Sequence, residues 1–162
     1  MVLVGGLGLA VALVLLGAAL AGAPAQPPAI DRPGTATAPR DVNVILRDYR
    51  FDPTPLYLVA GETVRLHVVN GGLVEHELVL GGQGVQQAWL RAHAAAAPPA
   101  PFSTAPTASV PPGTGGLRVL LASGGATTVS YEVPPDDGLA LICHLPGHAD
   151  RGMIGQVVLI SR

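Results

Sequence analysis

The segment CHLPGHADRGM, residues 143–153, carries the strongest chemical signal in this sequence. Cys143 ends a predicted strand, His148 follows five residues later beyond a Pro-Gly turn, and Met153 comes after another five residues. A strand end followed by a tight loop can bring a thiolate, an imidazole and a thioether to one point. Sulfur ligands accommodate Cu(I) and imidazole suits Cu(II), so this donor set favours copper. We therefore predict a site for one copper ion.

A blue copper centre has two histidines, one cysteine and a long axial methionine, so a second histidine must come from outside this loop. His76 is the favoured candidate because it begins a predicted strand directly after the loop at 70–75. His144 is the main alternative, although its neighbour is the cysteine and successive side chains point to opposite faces of a strand. His67 lies mid-strand on a polar face, and His93 lies on the polar side of a predicted helix.

Most of the remaining sequence alternates between apolar and polar residues with a period of two. The predicted strands are 42–47, 56–59, 63–68, 76–80, 117–121, 127–133, 139–143 and 156–160. Short strands separated by Gly and Pro are typical of a sandwich, so we predict an all-β fold, a Greek-key β-sandwich. Helical spacing of Val85, Ala88, Trp89, Ala92 and Ala96 predicts one short helix at 85–97. A proline-rich insertion at 98–116 follows it and is expected to form a mobile surface loop.

The N-terminal region predicts export. Residues 2–21 are all apolar or glycine, which is long enough for a membrane-spanning helix. They also resemble a signal peptide, with a small-residue cleavage site at 23–25. We expect residues 1–25 to be a signal peptide or a membrane anchor, 26–40 a flexible linker, and 41–162 the copper-binding domain. The domain is then extracytoplasmic, in the periplasm or on the outer face of the cytoplasmic membrane, and either secreted or anchored.

Composition excludes several other classes of protein. The net charge is −2 and the sequence contains no lysine, so nothing favours nucleic acid as a partner. A single cysteine excludes a disulfide within the chain and a dinuclear copper site that needs two cysteines. We expect a monomer.

Two segments resemble a known family. Residues 143–159 resemble the C-terminal signature of the cupredoxins, the plastocyanin and azurin family of type 1 blue copper proteins, and residues 70–80 resemble the first-histidine region of bacterial members. The resemblance spans about residues 41–162 and implies a Greek-key sandwich, one type 1 copper and one-electron transfer. Carried over by position, the metal ligands are His76, Cys143, His148 and Met153. Many members have Asn after the first histidine, where Glu77 stands here; we expect Glu77 to make a similar contact and to shift the potential or favour copper retention.

The resemblance and the residues leave more than one function open. The first is electron transfer without catalysis, with His148 facing a redox partner across an apolar docking face formed by Leu73, Leu145 and Pro146. The alternative is a copper carrier, buffer or assembly factor that delivers copper to a larger oxidase. A cysteine-nucleophile enzyme leaves Met153 unexplained, and a zinc site is disfavoured because thioether is a poor zinc ligand.

Overall fold

The computed structural model describes residues 27–96, 108–135 and 138–161. The elements are β1 Arg40–Arg47, β2 Arg50–Asp52, β3 Leu56–Val59, β4 Thr63–Asn70, β5 His76–Gly81, α1 Gln83–Ala95, β6 Leu117–Leu121, β7 Ala126–Glu132, β8 Ala140–Ile142 and β9 Ile154–Ile160. A single 3-10 turn, Ala149–Arg151, lies between β8 and β9. The predicted signal peptide or anchor and residues 97–107 of the insertion region lie outside the described residues.

The strands form two sheets, which confirms the predicted sandwich. One sheet has the order β2-β1-β4-β7 and the other has the order β3-β9-β8-β5-β6. Strands β1 and β4 pair in parallel, as do β3 and β9, and the other pairs are antiparallel. Alternation places Val64, Leu66 and Val68 fully inside the core, while Arg65 is exposed on the other face. The two sheets therefore enclose one apolar core whose end carries the residues of interest.

Strand β2 was not predicted from the sequence. It has only three residues, which is too short to show a period, and it pairs antiparallel with β1 after a tight turn. That turn contains Tyr49, whose φ of 63° is unusual for a residue with a side chain. The turn matters because it reaches the predicted metal site.

Helix α1 begins two residues earlier than predicted, and its buried stripe differs from the apolar one. Gln86 and Trp89 are its buried residues, whereas Val85 and Ala92 are only partly buried. The prediction that His93 lies on the polar side was wrong, because its side chain is only 4% exposed. Gln86, Trp89 and His93, at spacing i, i+3, i+7, therefore form the buried face of the helix. Two of the three are polar, so a search for apolar periodicity does not detect this face.

Part of the predicted linker contacts the sandwich. Gly34 is buried, and its N–H donates to the Glu62 carboxylate, which also accepts from the Arg40 guanidinium. The domain boundary at residue 41 stays a prediction. Among the described residues, no helix is long and apolar enough to cross a membrane.

Candidate metal centre

The loop after β8 is shaped by a tight turn. The His148 N–H donates to the Leu145 carbonyl at 3.0 Å, which closes a four-residue turn with Pro146 and Gly147 at its centre. Proline presets the second position of such a turn, and Gly147 has a φ of 76°, which the third position of a type II turn requires. The order Pro-Gly therefore brings His148 back towards Cys143, which directly follows β8.

Three predicted ligands meet at this point. The Sγ of Cys143 lies 3.3 Å from Nδ1 of His148, and Nδ1 of His76 lies 3.2 Å from the same nitrogen. The three ligand atoms lie within 4.8 Å of one another, and this is the one such cluster in the described part of the chain. Cys143 and His76 have no exposed surface, whereas His148 is half-buried. A strand end, a strand start and a turn thus converge on one buried point.

Met153 is tied to the same loop through its backbone. Its N–H donates to the carbonyl of His148 at 3.0 Å, and its carbonyl accepts from the N–H of Cys143 at 3.2 Å. Gly152, with a φ of 97°, makes the reversal between the 3-10 turn and Met153. The Met153 side chain is fully buried in the same core cluster as Cys143.

His76 is held from behind by a carboxylate. Its Nε2 lies 3.0 Å from Oδ1 of Asp48, so the ring donates Nε2–H there and its Nδ1 can act as a ligand. This hydrogen bond holds the pKa of Asp48 below its usual value. Tyr49 packs edge-on against both imidazoles, with ring centroids 6.2 Å from His76 and 5.2 Å from His148. The guanidinium of Arg151 lies over the Tyr49 ring and closes this side of the cluster.

The Cys143 thiol is shielded from water. Burial raises its pKa to about 11, although the backbone N–H groups of Glu77 and Leu145 act in the opposite direction. The Glu77 N–H lies 3.4 Å from Sγ and donates to it. A thiol with this pKa is protonated at neutral pH in the metal-free protein. A metal ion that binds the Cys143 sulfur must therefore displace the thiol proton.

Glu77 links β5 to the loop of the predicted metal site, as expected from its position directly after His76. Its Oε1 accepts from the His144 N–H at 3.1 Å and so links the β5 strand to the loop that starts at Cys143. Its Oε2 accepts from Nε of Arg118 at 2.6 Å and lies 3.0 Å from Nε2 of His93. Burial alone raises the pKa of Glu77, but its hydrogen bonds and charge interactions with His93 and Arg118 outweigh burial and lower it. The carboxylate is therefore a fully buried anion with two basic partners.

Gln86 completes this network from the helix. Its amide nitrogen donates to the carbonyls of Val79, Gly81 and Ala140, and its oxygen lies 2.8 Å from Nε2 of His144. His144 therefore points away from the ligand cluster, as strand alternation predicted. That position removes it as the alternative to His76 in this structure.

The donor set fits copper. One cysteine sulfur and two imidazole nitrogens lie within 4.8 Å of one another, and a buried thioether follows in the same loop. This is the ligand set of a type 1 centre, in which copper would lie between two histidines and one cysteine with a weak axial methionine. Zinc sites rarely include thioether, so the set favours copper over zinc.

Comparison with known proteins identifies the family. The chain is 36% identical over 130 residues to the copper-resistant cuproprotein CopI of Rubrivivax gelatinosus, an alignment covering 79% of this chain and 72% of that protein. This chain belongs to the CopI family. A second CopI, from Pseudomonas aeruginosa, is 27% identical over 164 residues, covering 90% of this chain and 91% of that protein. No protein-family model matches the sequence.

Solved structures show the same fold. Reduced auracyanin of Roseiflexus castenholzii has a TM-score of 0.58 at 20% identity, and the match covers 78% of this chain and 99% of that chain. Auracyanin B has a TM-score of 0.55 at 26% identity, covering 82% of this chain and 93% of that chain. The predicted cupredoxin family, the sandwich fold and copper as the metal are confirmed for this CopI-family chain, which is a copper-binding protein. The assignment of the four individual ligands stays a prediction that substitution can test.

Proposed function

We propose that this chain transfers single electrons through a type 1 copper site outside the cytoplasm. The observation that carries this proposal is that the ligand atoms of His76, Cys143 and His148 lie within 4.8 Å of one another, with His76 and Cys143 fully buried. Ligands held by strands and a tight turn move little when copper changes between Cu(I) and Cu(II). A small rearrangement favours fast electron transfer over slow capture and release.

The same ligand set argues against catalysis. His76, Cys143, His148 and Met153 would together supply four protein donors to the copper and would leave no position for substrate. Catalytic metal sites keep an open position for water or substrate. We therefore propose that the chain is not an enzyme.

The route for electrons is proposed to run through His148, because it is the ligand cluster's half-buried member and the other two are fully buried. Leu73 is 85% exposed and Pro146 is also exposed, so both can contact a redox partner. Leu145 was predicted to share this docking face, but it is buried in the core and does not contribute to it. We propose a monomer that meets its partner at this end of the sandwich.

The extracytoplasmic location is supported by the apolar run at residues 2–21. Cell fractionation tests it: the full chain is expected in the periplasmic or membrane fraction. A variant lacking residues 2–21 is expected to stay in the cytoplasm. Recovery of the full chain in the cytoplasmic fraction would contradict the proposed location.

A second candidate function is copper carriage or buffering, including delivery to a larger oxidase. It is favoured by one observation, that both related CopI proteins are named copper-resistant. The same four ligands would serve, but copper affinity and release would matter more than potential.

Redox cycling in the presence of a Cu(I) chelator separates the two functions. For electron transfer, the copper-loaded full chain should keep its metal through repeated reduction and oxidation. Loss of copper to the chelator at the first reduction would favour the carrier. A colourless protein that binds only Cu(I) would do the same.

The ligand assignment has its own test. His76→Ala should abolish the visible absorption of the copper form, while His67→Ala is the matched control because His67 binds only Asp41 and Thr128 on the outer face. An unchanged spectrum for His76→Ala would show that another residue supplies the second histidine.

A further inference from the structure

The turn between β1 and β2 places a carboxylate directly behind a predicted metal ligand. Oδ1 of Asp48 lies 3.0 Å from Nε2 of His76 and 2.9 Å from the backbone nitrogen of Leu73. The His76 side chain is fully buried, whereas that of Asp48 is 35% exposed. A buried imidazole is thus bonded to an anion that reaches it from the protein surface.

The packing leaves room for this contact only because residue 72 is glycine. A Cβ on Gly72 would lie 2.5 Å from Oδ1 of Asp48 and 2.7 Å from Nε2 of His76, both closer than real Cβ contacts. Tyr49, the residue after Asp48, has a left-handed backbone that turns the chain sharply. Its ring contacts the imidazoles of His76 and His148. The approach of Asp48 to His76 is therefore defined by two neighbouring backbone segments.

The bond determines which nitrogen of His76 faces the cluster. A carboxylate accepts a hydrogen bond and cannot donate one, so the proton of the neutral ring lies on Nε2. Nδ1 then carries the lone pair and points at the position shared with Cys143 and His148. Removing such a partner of a metal-ligating histidine typically costs about 10–100-fold in metal affinity.

We propose that Asp48 is a positioning residue that fixes the ligand tautomer of His76 and, through its negative charge, favours Cu(II) over Cu(I) at the site. The proposal rests on the proposed type 1 copper function and goes beyond it by naming a residue that sets the potential. A negative charge beside the ligand stabilises the more positive oxidation state, since opposite charges attract more strongly in a partly buried site. Asp48 thus lowers the reduction potential.

Two substitutions separate charge from hydrogen bonding. Asp48→Asn keeps an oxygen that can accept from both His76 and Leu73 but removes the charge. Asp48→Ala removes both. Asp41→Asn is the matched control, because Asp41 makes a similar 2.8 Å contact with the imidazole of His67 on the exposed face of the other sheet.

The first measurement uses the metal-free full-length protein and does not depend on copper. Nitrogen chemical shifts of the His76 ring should show a proton on Nε2 in the parent chain. Asp48→Ala should lose this fixed tautomer, while Asp41→Asn should keep it. A proton on Nδ1 in the parent, or an unchanged tautomer in Asp48→Ala, would overturn the positioning role. If Asp48→Ala does not fold, the parent chain alone still decides the tautomer.

The second measurement is the reduction potential of the copper-loaded chain. Asp48→Asn should weaken Cu(II) binding more than Cu(I) binding, and each tenfold difference raises the potential by about 59 mV. Asp41→Asn should leave it unchanged. Equal potentials for Asp48→Asn and the parent would overturn the charge effect while the type 1 site stood. A parent chain without thiolate-to-copper absorption would instead refute the proposed function, and the metal-free tautomer would still test Asp48.

Discussion

Cys143 and His76 present ligand atoms within 4.8 Å of each other, yet the surroundings of the two residues differ in burial and in charge. One side, here called the helix side, lies next to Cys143 and consists of Glu77, Gln86, His93 and Arg118. There the glutamate is fully buried and the His93 side chain is only 4% exposed. The turn side, formed by Asp48, Tyr49 and Gly72, backs the histidines, and its carboxylate is 35% exposed.

Because of this difference, substitutions on the two sides should change different properties of the protein. A network of buried polar groups is costly to disrupt, because each remaining partner loses a bond that water cannot easily replace. Half-exposed groups can regain water when a partner is removed. Substitutions on the helix side should therefore lower stability strongly, whereas those on the turn side should mainly change how copper is held.

The largest effect is expected for Glu77→Gln. It removes the anion between Arg118 and His93, and loss of one partner of a buried ion pair costs about 3–5 kcal/mol. Urea unfolding of the metal-free full-length chain measures this loss. The copper absorption band should also shift, since Glu77 donates its N–H to Cys143 and binds the next backbone N–H.

Glu62→Gln is the matched control for that substitution. Glu62 is also fully buried and paired with an arginine, Arg40, but it lies at the opposite end of β4 from the metal centre, about 25 Å along the strand. It should lower stability and leave the copper spectrum unchanged. Identical spectra for both variants would contradict the role assigned to the helix side.

Gln86→Leu should produce the next largest loss. It removes the amide that bonds to three backbone carbonyls and to Nε2 of His144, and each buried polar group left unsatisfied costs about 1–3 kcal/mol. The neighbouring Gln87→Leu, at an exposed position of the same helix, should change the free energy of unfolding by less than about 0.5 kcal/mol. Equal effects at the two positions would remove Gln86 from the helix side.

On the turn side, Tyr49→Gly should barely alter stability. A left-handed backbone costs a residue with a side chain about 1–2 kcal/mol, and glycine removes that cost. This gain offsets the packing that is lost with the half-buried ring. Removing the ring uncovers His148, so the rate of copper loss to a chelator should rise. Tyr49→Phe keeps the ring and should release copper at the parent rate; faster release from Tyr49→Phe would show that the hydroxyl, and not the ring, covers the site.

The smallest effect is a pH dependence outside both sides. Burial raises the pKa of Glu62, but the hydrogen bonds from Arg40, Val59 and Gly34 outweigh it and hold the pKa below the ordinary value of 4.5. Its contribution to stability is therefore complete above about pH 4.5 and is lost as the pH falls through the lower folded value. Unfolding curves between pH 7 and pH 3 should show this loss in the parent and a smaller one in Glu62→Gln. Parallel losses in both chains would assign the acid sensitivity to other carboxylates.

The sequence predicted which three residues converge, His76, Cys143 and His148, better than it predicted the residues around them. Cys143, His148 and Met153 share one short loop, so their spacing and the Pro-Gly turn carry the information. His76 was favoured because it begins a strand directly after the loop at 70–75, which can bring it to the same end of the sandwich as Cys143. The sandwich followed from alternation in strands such as β4, where every second residue is buried.

The surroundings depend on contacts that no local pattern encodes. Asp48 and Tyr49 lie in the turn before β2, a strand of only three residues. The pairing of β1 with β2 is what brings them to His76. His93 was misplaced because its buried stripe is polar. One signal could have corrected this: a glutamate following a predicted ligand needs a basic partner if it is buried, and Gln86, Trp89 and His93 share one helical face.

Copper binding by Cys143 is tested most directly by comparing the visible spectra of the copper-loaded full-length chain and of Cys143→Ser. Direct copper–thiolate bonding at the converged site predicts strong absorption in the parent and none in the variant, with both chains folded. A parent chain without this absorption, or a variant that keeps it, would contradict the claim that Cys143 binds the copper.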